Sequence, residues 1–428
     1  MKKLIVFFFV LSFSPVIWAS DDDDSVKLTA AFNLLSGKDG YTNYDRAYDI
    51  FKTIYYSTAL SSRKKARANH IYAEYGLGLC LYRGFGIKQN YYEAYRHFWS
   101  LVMLGVDNYI PDAGYFYGEC CYNGYGTSRN LKDARVGFYH SAMFGSSLSR
   151  IKLGVLMLKG EKEIVSENDS EVFGWVREEA AKNNSEAQYV LGHLYLRGNG
   201  CSKDTLLALA YFEKSANNNN EEAMYTLVHN FYLPDYGSKF KDHSKAFLYI
   251  NKLANNGDAY SQYDLGVCYA MGRGTEKNEG LALQWYEKAA NGGCPDALSE
   301  LGNMYYEGRN VQKNNQKALS YYMNYLQHEY DRNPHGNALA IRVIYVKSKI
   351  GDIYYEGGYG VSQDYEQAVK YYLKAADAYQ ISAKSAKNLA ICYKWGYGGL
   401  LPSNKKSEEW LQKAKELGDK EAREMLRQ

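Results

Sequence analysis

Proline is scarce in this sequence, with 6 in 428 residues, so little interrupts a helix anywhere along it. No apolar run reaches the roughly 20 residues that span a bilayer, so no membrane span is expected. Neither charge sign dominates: 51 Lys and Arg face 48 Asp and Glu. That balance gives no bulk pull toward nucleic acid or anionic lipid, and nucleic acid is not an expected partner. The eight histidines are scattered and no HExxH occurs. Gly-x-Gly pairs are present, but they follow helical patterns and lack the Lys-Ser/Thr of a phosphate loop. No metal and no cofactor are expected. Cysteine is neither abundant nor even in number. Seven thiols in an oxidising compartment leave at least one free or paired between chains.

What is present begins with a leader. Lys2 and Lys3 precede an apolar run from Leu4 to Phe13, Pro15 breaks it, and Ile17-Trp18-Ala19 supplies a small residue for cleavage. Residues 1–19 therefore read as a Sec signal peptide, and the protein as exported to a bacterial periplasm or secreted onward. Removing Lys2 and Lys3 takes the formal charge from +3 to +1.

A Leu-Gly pair or close variant then recurs. Its glycines are Gly78, Gly118, Gly154, Gly192, Gly266, Gly302 and Gly351, with Val228 and Ala390 in the same place in two more copies. Spacings run from 36 to 40 residues, with one of 49. Three residues on comes an apolar or aromatic residue, then often Gly-x-Gly, as at 84/86, 124/126, 198/200, 272/274 and 396/398. An Asp or Asn follows, and then an Ala with aromatics three or four places later, as in Ala318/Tyr321/Tyr322. Both segments place apolar residues at i, i+3, i+4 and i+7, the mark of amphipathic helices. Glycine suits the C-terminus of the first helix, and Asn or Asp the N-cap of the second. One such pair cannot bury its apolar face alone, so the pairs must stack.

The segments YDLGVCYAMGRGTEKNEGLALQWYEKAANGG (263–293) and IGDIYYEGGYGVSQDYEQAVKYYLKAA (350–376) resemble Sel-1-like repeats, relatives of tetratricopeptide repeats. The resemblance covers residues about 67–425. It implies an all-α fold, a right-handed α-solenoid of about nine helix–turn–helix repeats plus an N-terminal capping pair, and an adaptor role without catalysis. The expected organisation is a signal peptide (1–19), an acidic start and capping pair (20–66) and the solenoid (67–425). Its copies lie near 67–106, 107–146, 147–184, 185–220, 221–258, 259–294, 295–341, 342–380 and 381–425. An insertion with Pro334 and Gly336 interrupts the pattern, and a charged helix from Lys405 to Gln428 closes it.

Positions three before and four after the Leu-Gly glycine are seven apart and share one helix face. By analogy with tetratricopeptide relatives, the first helices line a concave groove. Tyr82, Tyr122, Tyr232, Tyr306 and Tyr355 are the expected groove tyrosines, because Tyr combines contact area with a polar tip. Tyr75, Tyr115, Tyr189, Tyr225 and Tyr263, in the earlier row, are expected to pack. Polar neighbours Glu119, His193, His229 and Asp352 would supply specificity. The function read from this is binding of a protein partner. One narrower version is a periplasmic immunity protein that neutralises a toxin. The competing class, a cell-wall or β-lactam hydrolase, would need one of the Ser-x-x-Lys pairs Ser61/Lys64, Ser149/Lys152, Ser238/Lys241 or Ser403/Lys406. Cys80, Cys120, Cys268 and Cys392 share one repeat position and read as buried thiols. Cys201 and Cys294, in connectors, are the candidates for a reactive or paired thiol.

Overall fold

The computed structural model describes residues 23–37, 42–59, 64–105, 110–159, 169–233, 240–332, 341–376 and 381–427. The expected leader and the insertion with Pro334 and Gly336 lie outside these residues. Among them the secondary structure is helical, with one isolated bridge between Gly358 and Val361. The chain forms two compact units, one ending at Ala223 and one starting at Met224.

The first unit contains α1 (Asp23–Ser36), α2 (Tyr44–Thr58), α3 (Lys64–Arg83), α4 (Tyr91–Met103), α5 (Pro111–Asn123), α6 (Leu131–Met143), α7 (Ser147–Lys159), α8 (Asp169–Ala181), α9 (Ser185–Arg197) and α10 (Thr205–Asn217). A helix α11 (Glu221–Thr226) carries the chain past Ala223. In the second unit it runs on as a π-helix, Leu227–Tyr232, in the copy where Val228 replaces glycine. There follow α12 (His243–Asn255), α13 (Ala259–Met271), α14 (Glu279–Asn291), α15 (Pro295–Glu307), α16 (Asn315–Arg332), α17 (Ile341–Glu356), α18 (Tyr365–Ala376), α19 (Ala383–Trp395), α20 (Asn404–Glu416) and α21 (Lys420–Met425). The closing helix expected from Lys405 to Gln428 is thus two helices. Gly418 turns the chain at φ +99°, and the Asp419 carboxylate caps the second by accepting from the Ala422 N–H at 2.8 Å.

Local chemistry sets the element ends. Gly124, Gly198, Gly272, Gly308 and Gly396 are left-handed C-caps of first helices. Asn90, Asn130, Asp204 and Asn278 cap the second helices by accepting backbone N–H bonds through their side chains.

Why the Leu-Gly must be glycine follows from packing. A methyl group on Gly78, Gly118, Gly192, Gly266, Gly302 or Gly351 would lie within 2.7 Å of a ring on the second helix of its own pair. Those rings are Phe98, Phe138, Phe212, Tyr286, Tyr322 and Tyr372, all buried. Burying each contributes on the order of 2–3 kcal/mol, available only because the facing helix lacks a side chain there.

Tyrosine supplies the other contacts. Within pairs, Tyr195–Tyr211, Tyr305–Tyr321 and Tyr354–Tyr371 stack at centroid distances of 5.6 to 6.2 Å. Between successive pairs, the middle residue of Gly-x-Gly stacks on the first residue of an earlier second helix. Phe85 lies on Tyr44 at 4.3 Å, Tyr125 on Tyr91 at 4.5 Å and Tyr397 on Tyr365 at 4.5 Å, each pair within 14° of parallel. Offset stacks of this kind add about 0.5–1.5 kcal/mol beyond area burial.

Candidate functional site

The expected groove tyrosines separate into two groups. Tyr122 and Tyr355 are half-buried. Tyr82, Tyr232 and Tyr306 are buried, at 7%, 2% and 6% exposure, which corrects the expectation that they face an open groove. The periodicity places them at one repeat position on the first helices. That position, however, is covered from the side by neighbouring elements. The Tyr82 ring meets Phe98, Phe116 and Tyr125. Tyr232 lies parallel to Tyr249 at 6.4 Å. In the earlier row Tyr75 and Tyr115 are buried, whereas Tyr189, Tyr225 and Tyr263 are half-buried.

In the first unit, two of the expected residues share a surface with α7. Glu119 on α5 pairs with Lys152 at 3.2 Å. The Lys159 ammonium sits over the Tyr122 ring, 4.6 Å from its centroid. Lys152 belongs to one Ser-x-x-Lys pair, but the Ser149 hydroxyl is buried and donates to Ser141 Oγ at 2.7 Å. Ser403, in another pair, is an N-cap that accepts from the Lys406 N–H. Ser149 thus links two packed helices and Ser403 starts one.

His193 stands edge-on to Tyr189 and Phe212, at 4.7 and 4.8 Å. Burial, helped by the Arg197 charge, lowers its pKa from 6.5 to about 4. The folded state therefore resists the protonation that the unfolded chain accepts. Stability is full above pH 6.5 and falls as pH drops from there toward 4. His193→Phe should flatten that fall by about 1–2 kcal/mol, the shift being discounted for the partial exposure of the ring. Urea titrations of both proteins at several pH values check it; parallel curves would remove His193 as the cause.

His229, in the second unit, is accessible, with 47% of its side chain exposed, and its Nε2 lies 3.7 Å from Asp264. Asp352 is not available to a partner. It is 1% exposed and accepts from Tyr372 Oη at 2.9 Å, Ser385 Oγ at 3.0 Å and Asn388 Nδ2 at 3.4 Å. Its role is to tie α17, α18 and α19 together. Asn303, one repeat earlier, does the same by accepting from Tyr322 at 2.7 Å and Tyr345 at 3.1 Å.

Around Tyr306 the structure gathers charges that the repeat pattern did not single out. The Tyr306 hydroxyl accepts from Lys384 Nζ at 3.1 Å and donates to Glu356 at 3.3 Å, and Lys384 and Glu356 form an ion pair. Lys349, Lys313 and Lys384 lie 5.0, 5.3 and 5.7 Å from the ring centroid. Burial, with Asp352 nearby, pushes the Tyr306 pKa up to about 12, so the hydroxyl keeps its proton at neutral pH. These lysines occupy three inequivalent repeat positions, so a column-by-column reading dilutes them.

The thiols are all free, and five of them, Cys80, Cys120, Cys121, Cys268 and Cys392, are buried first-helix side chains. Cys294 is also fully buried and unpaired, which counts against it as the reactive or paired thiol expected of a connector; Cys201 is half-buried. Burial raises the pKa of both. Among the described residues no three His, Cys, Asp or Glu converge as a metal would require, and no helix is long and apolar enough to cross a membrane.

The family described as Sel1 repeat matches residues 71–98, 111–136, 185–220, 230–258, 259–294, 295–322, 348–379 and 383–419. The crystal structure of c5321, a protective antigen of uropathogenic Escherichia coli with an SLR fold, covers 100% of this chain and 90% of its own, at 20% identity and a TM-score of 0.56. A Sel1 repeat protein from Oxalobacter formigenes covers 78% of this chain and 90% of its own, at 24% identity and a TM-score of 0.51. Among curated proteins, the ERAD-associated E3 ubiquitin-protein ligase component HRD3B of Arabidopsis thaliana is 32% identical over 111 residues, 26% of this chain and 17% of that protein. The chain spans less than a fifth of the length of the curated relatives it matches.

Proposed function

This chain belongs to the Sel1 repeat family, and from that membership we propose that it is an exported, non-catalytic scaffold that binds a protein partner in the bacterial periplasm or beyond. The family generally mediates protein–protein interaction. The observation that carries the reading here is the shared surface of α5 and α7, where Glu119, Tyr122, Lys152 and Lys159 remain partly accessible. Half-buried aromatics rimmed by charge resemble the anchors of interfaces, where a ring is already held and loses little freedom on binding.

A photo-crosslinking residue placed at Tyr122 tests this, with Tyr56 as the control because it is 69% exposed on another element. Irradiation of intact cells should give one discrete adduct from position 122 and none from 56. The bait should come from the periplasmic fraction and begin at Ser20. Equal adducts at both positions, or none at 122, would remove this surface as the binding site. Recovery of the chain from the cytoplasm with residues 1–19 retained would remove the location.

A further inference from the structure

We infer that the cluster around Tyr306 in the second unit is a docking point for an acidic segment of a protein partner, an inference that rests on the scaffold reading above. Three ammonium groups, from Lys313, Lys349 and Lys384, surround one ring within 5.7 Å of its centroid. They come from three places in the chain: the connector after α15, α17 and α19. The nearby carboxylates each have a specific partner. Glu356 pairs with Lys384. Asp352 is buried and takes its hydrogen bonds from Tyr372, Ser385 and Asn388. Glu300 pairs with Arg309, and Asp296 with Arg342.

Lys313 and Lys349 therefore have no carboxylate partner among the described residues. Their contacts are with rings: Lys313 with Tyr306 and Tyr359, Lys349 with Tyr306 and Tyr345. Cation–π contact holds an ammonium in place yet leaves its charge open to an anion. The arrangement also sets the shape of the ligand. Positive charge is spread over three rings, Lys313 lying also 4.6 Å from the Tyr359 centroid and Lys349 5.3 Å from that of Tyr345. Lysines act here as separate point charges. Carboxylates spaced along an extended segment match that distribution better than a single compact anion does.

The full chain is titrated with fluorescein-labelled hexaglutamate and with hexaglutamine, read by anisotropy at low salt. Hexaglutamate should bind, hexaglutamine should not, and Lys313→Gln/Lys349→Gln should weaken binding about ten-fold, as expected for two lost charge pairs. The control Lys405→Gln/Lys420→Gln removes the same charge from exposed positions and should leave affinity within about two-fold, since distant surface charges are screened. Circular dichroism should show both doubles as helical as the parent. Equal losses in the two doubles would make the binding a bulk charge effect, and no loss, or no binding by the parent, would also overturn the proposal. Displacement by millimolar inorganic phosphate would do so too, since it marks a small-anion pocket. The scaffold reading is judged separately: an adduct at position 122 together with failure of hexaglutamate to bind keeps the scaffold and drops this site.

Discussion

Gly126→Ala should destabilise the first unit by about 3 kcal/mol or more, whereas Gly145→Ala should cost only about 1 kcal/mol. Both glycines adopt left-handed backbone, at φ +72° and +93°. Alanine pays a conformational penalty at either. The difference lies in what a methyl group would meet. At Gly145 there is nothing within 4 Å. At Gly126 it would fall 2.5 Å from the carbonyl carbon of Tyr91 and 2.6 Å from the Cα of Tyr92, at the start of α4. Those are backbone atoms of a helix packed on both sides, so they cannot step aside as a side chain would. The substitution must open the contact between successive pairs, which also carries the Tyr91–Tyr125 stack. In a repeat array, stability is roughly a sum of pair terms and interface terms. The urea transition of Gly126→Ala should therefore move to lower denaturant and broaden as the array loses cooperativity. Equal effects from the two glycines would mean the close approach carries no energy.

That contrast also marks how far the sequence could be read. Leu-Gly, Gly-x-Gly, the capping Asn and Asp and the Ala-aromatic pattern all repeat, and repetition makes the helix pairs legible in the sequence. The second glycine of Gly-x-Gly was legible only as a helix stop. Its contact is with backbone some 35 residues earlier, at Tyr91, and backbone leaves no side-chain signature to read. The site was less legible for a related reason. Periodicity says which face of a helix a residue occupies, and it placed Tyr82, Tyr232 and Tyr306 together. Whether that face stays open depends on lateral neighbours, and these bury all three. Asp352 looked like a specificity residue because its partners, Ser385 and Asn388, come from the next repeat and Tyr372 from the second helix of its own.

Asp352→Ala should cost the second unit about 2–4 kcal/mol, the sum of a small cavity and of buried donors left without an acceptor. Asp352→Asn should cost less than about 1 kcal/mol at neutral pH, because the amide oxygen can still accept from Tyr372 and Ser385 and no charge is buried. The pH dependence separates the two effects. Burial raises the Asp352 pKa above 3.8, against the lowering influence of Lys384 and its hydrogen bonds. The folded state then holds this proton more tightly than the unfolded chain does. Stability contributed by Asp352 is accordingly highest below pH 3.8 and declines as pH rises through the folded-state pKa. Subtracting the Asp352→Asn curve from the parent curve isolates that decline. A flat difference, or an alanine variant as stable as the parent, would show that the network contributes nothing.

The stacked rings between pairs restrict how such a chain can change its length. Tyr44, Tyr91 and Tyr365 each face an aromatic ring, whereas Asp169 and His243, which stand in the same place beside Gly200 and Gly274, precede loops whose middle residues are Asn199 and Arg273. Successive helix pairs within a unit are thus keyed, each lock cut for the next. Recombination that deletes residues 107–184 would set Tyr91 against Asn199, and the splice would persist only where both halves of the key had travelled together.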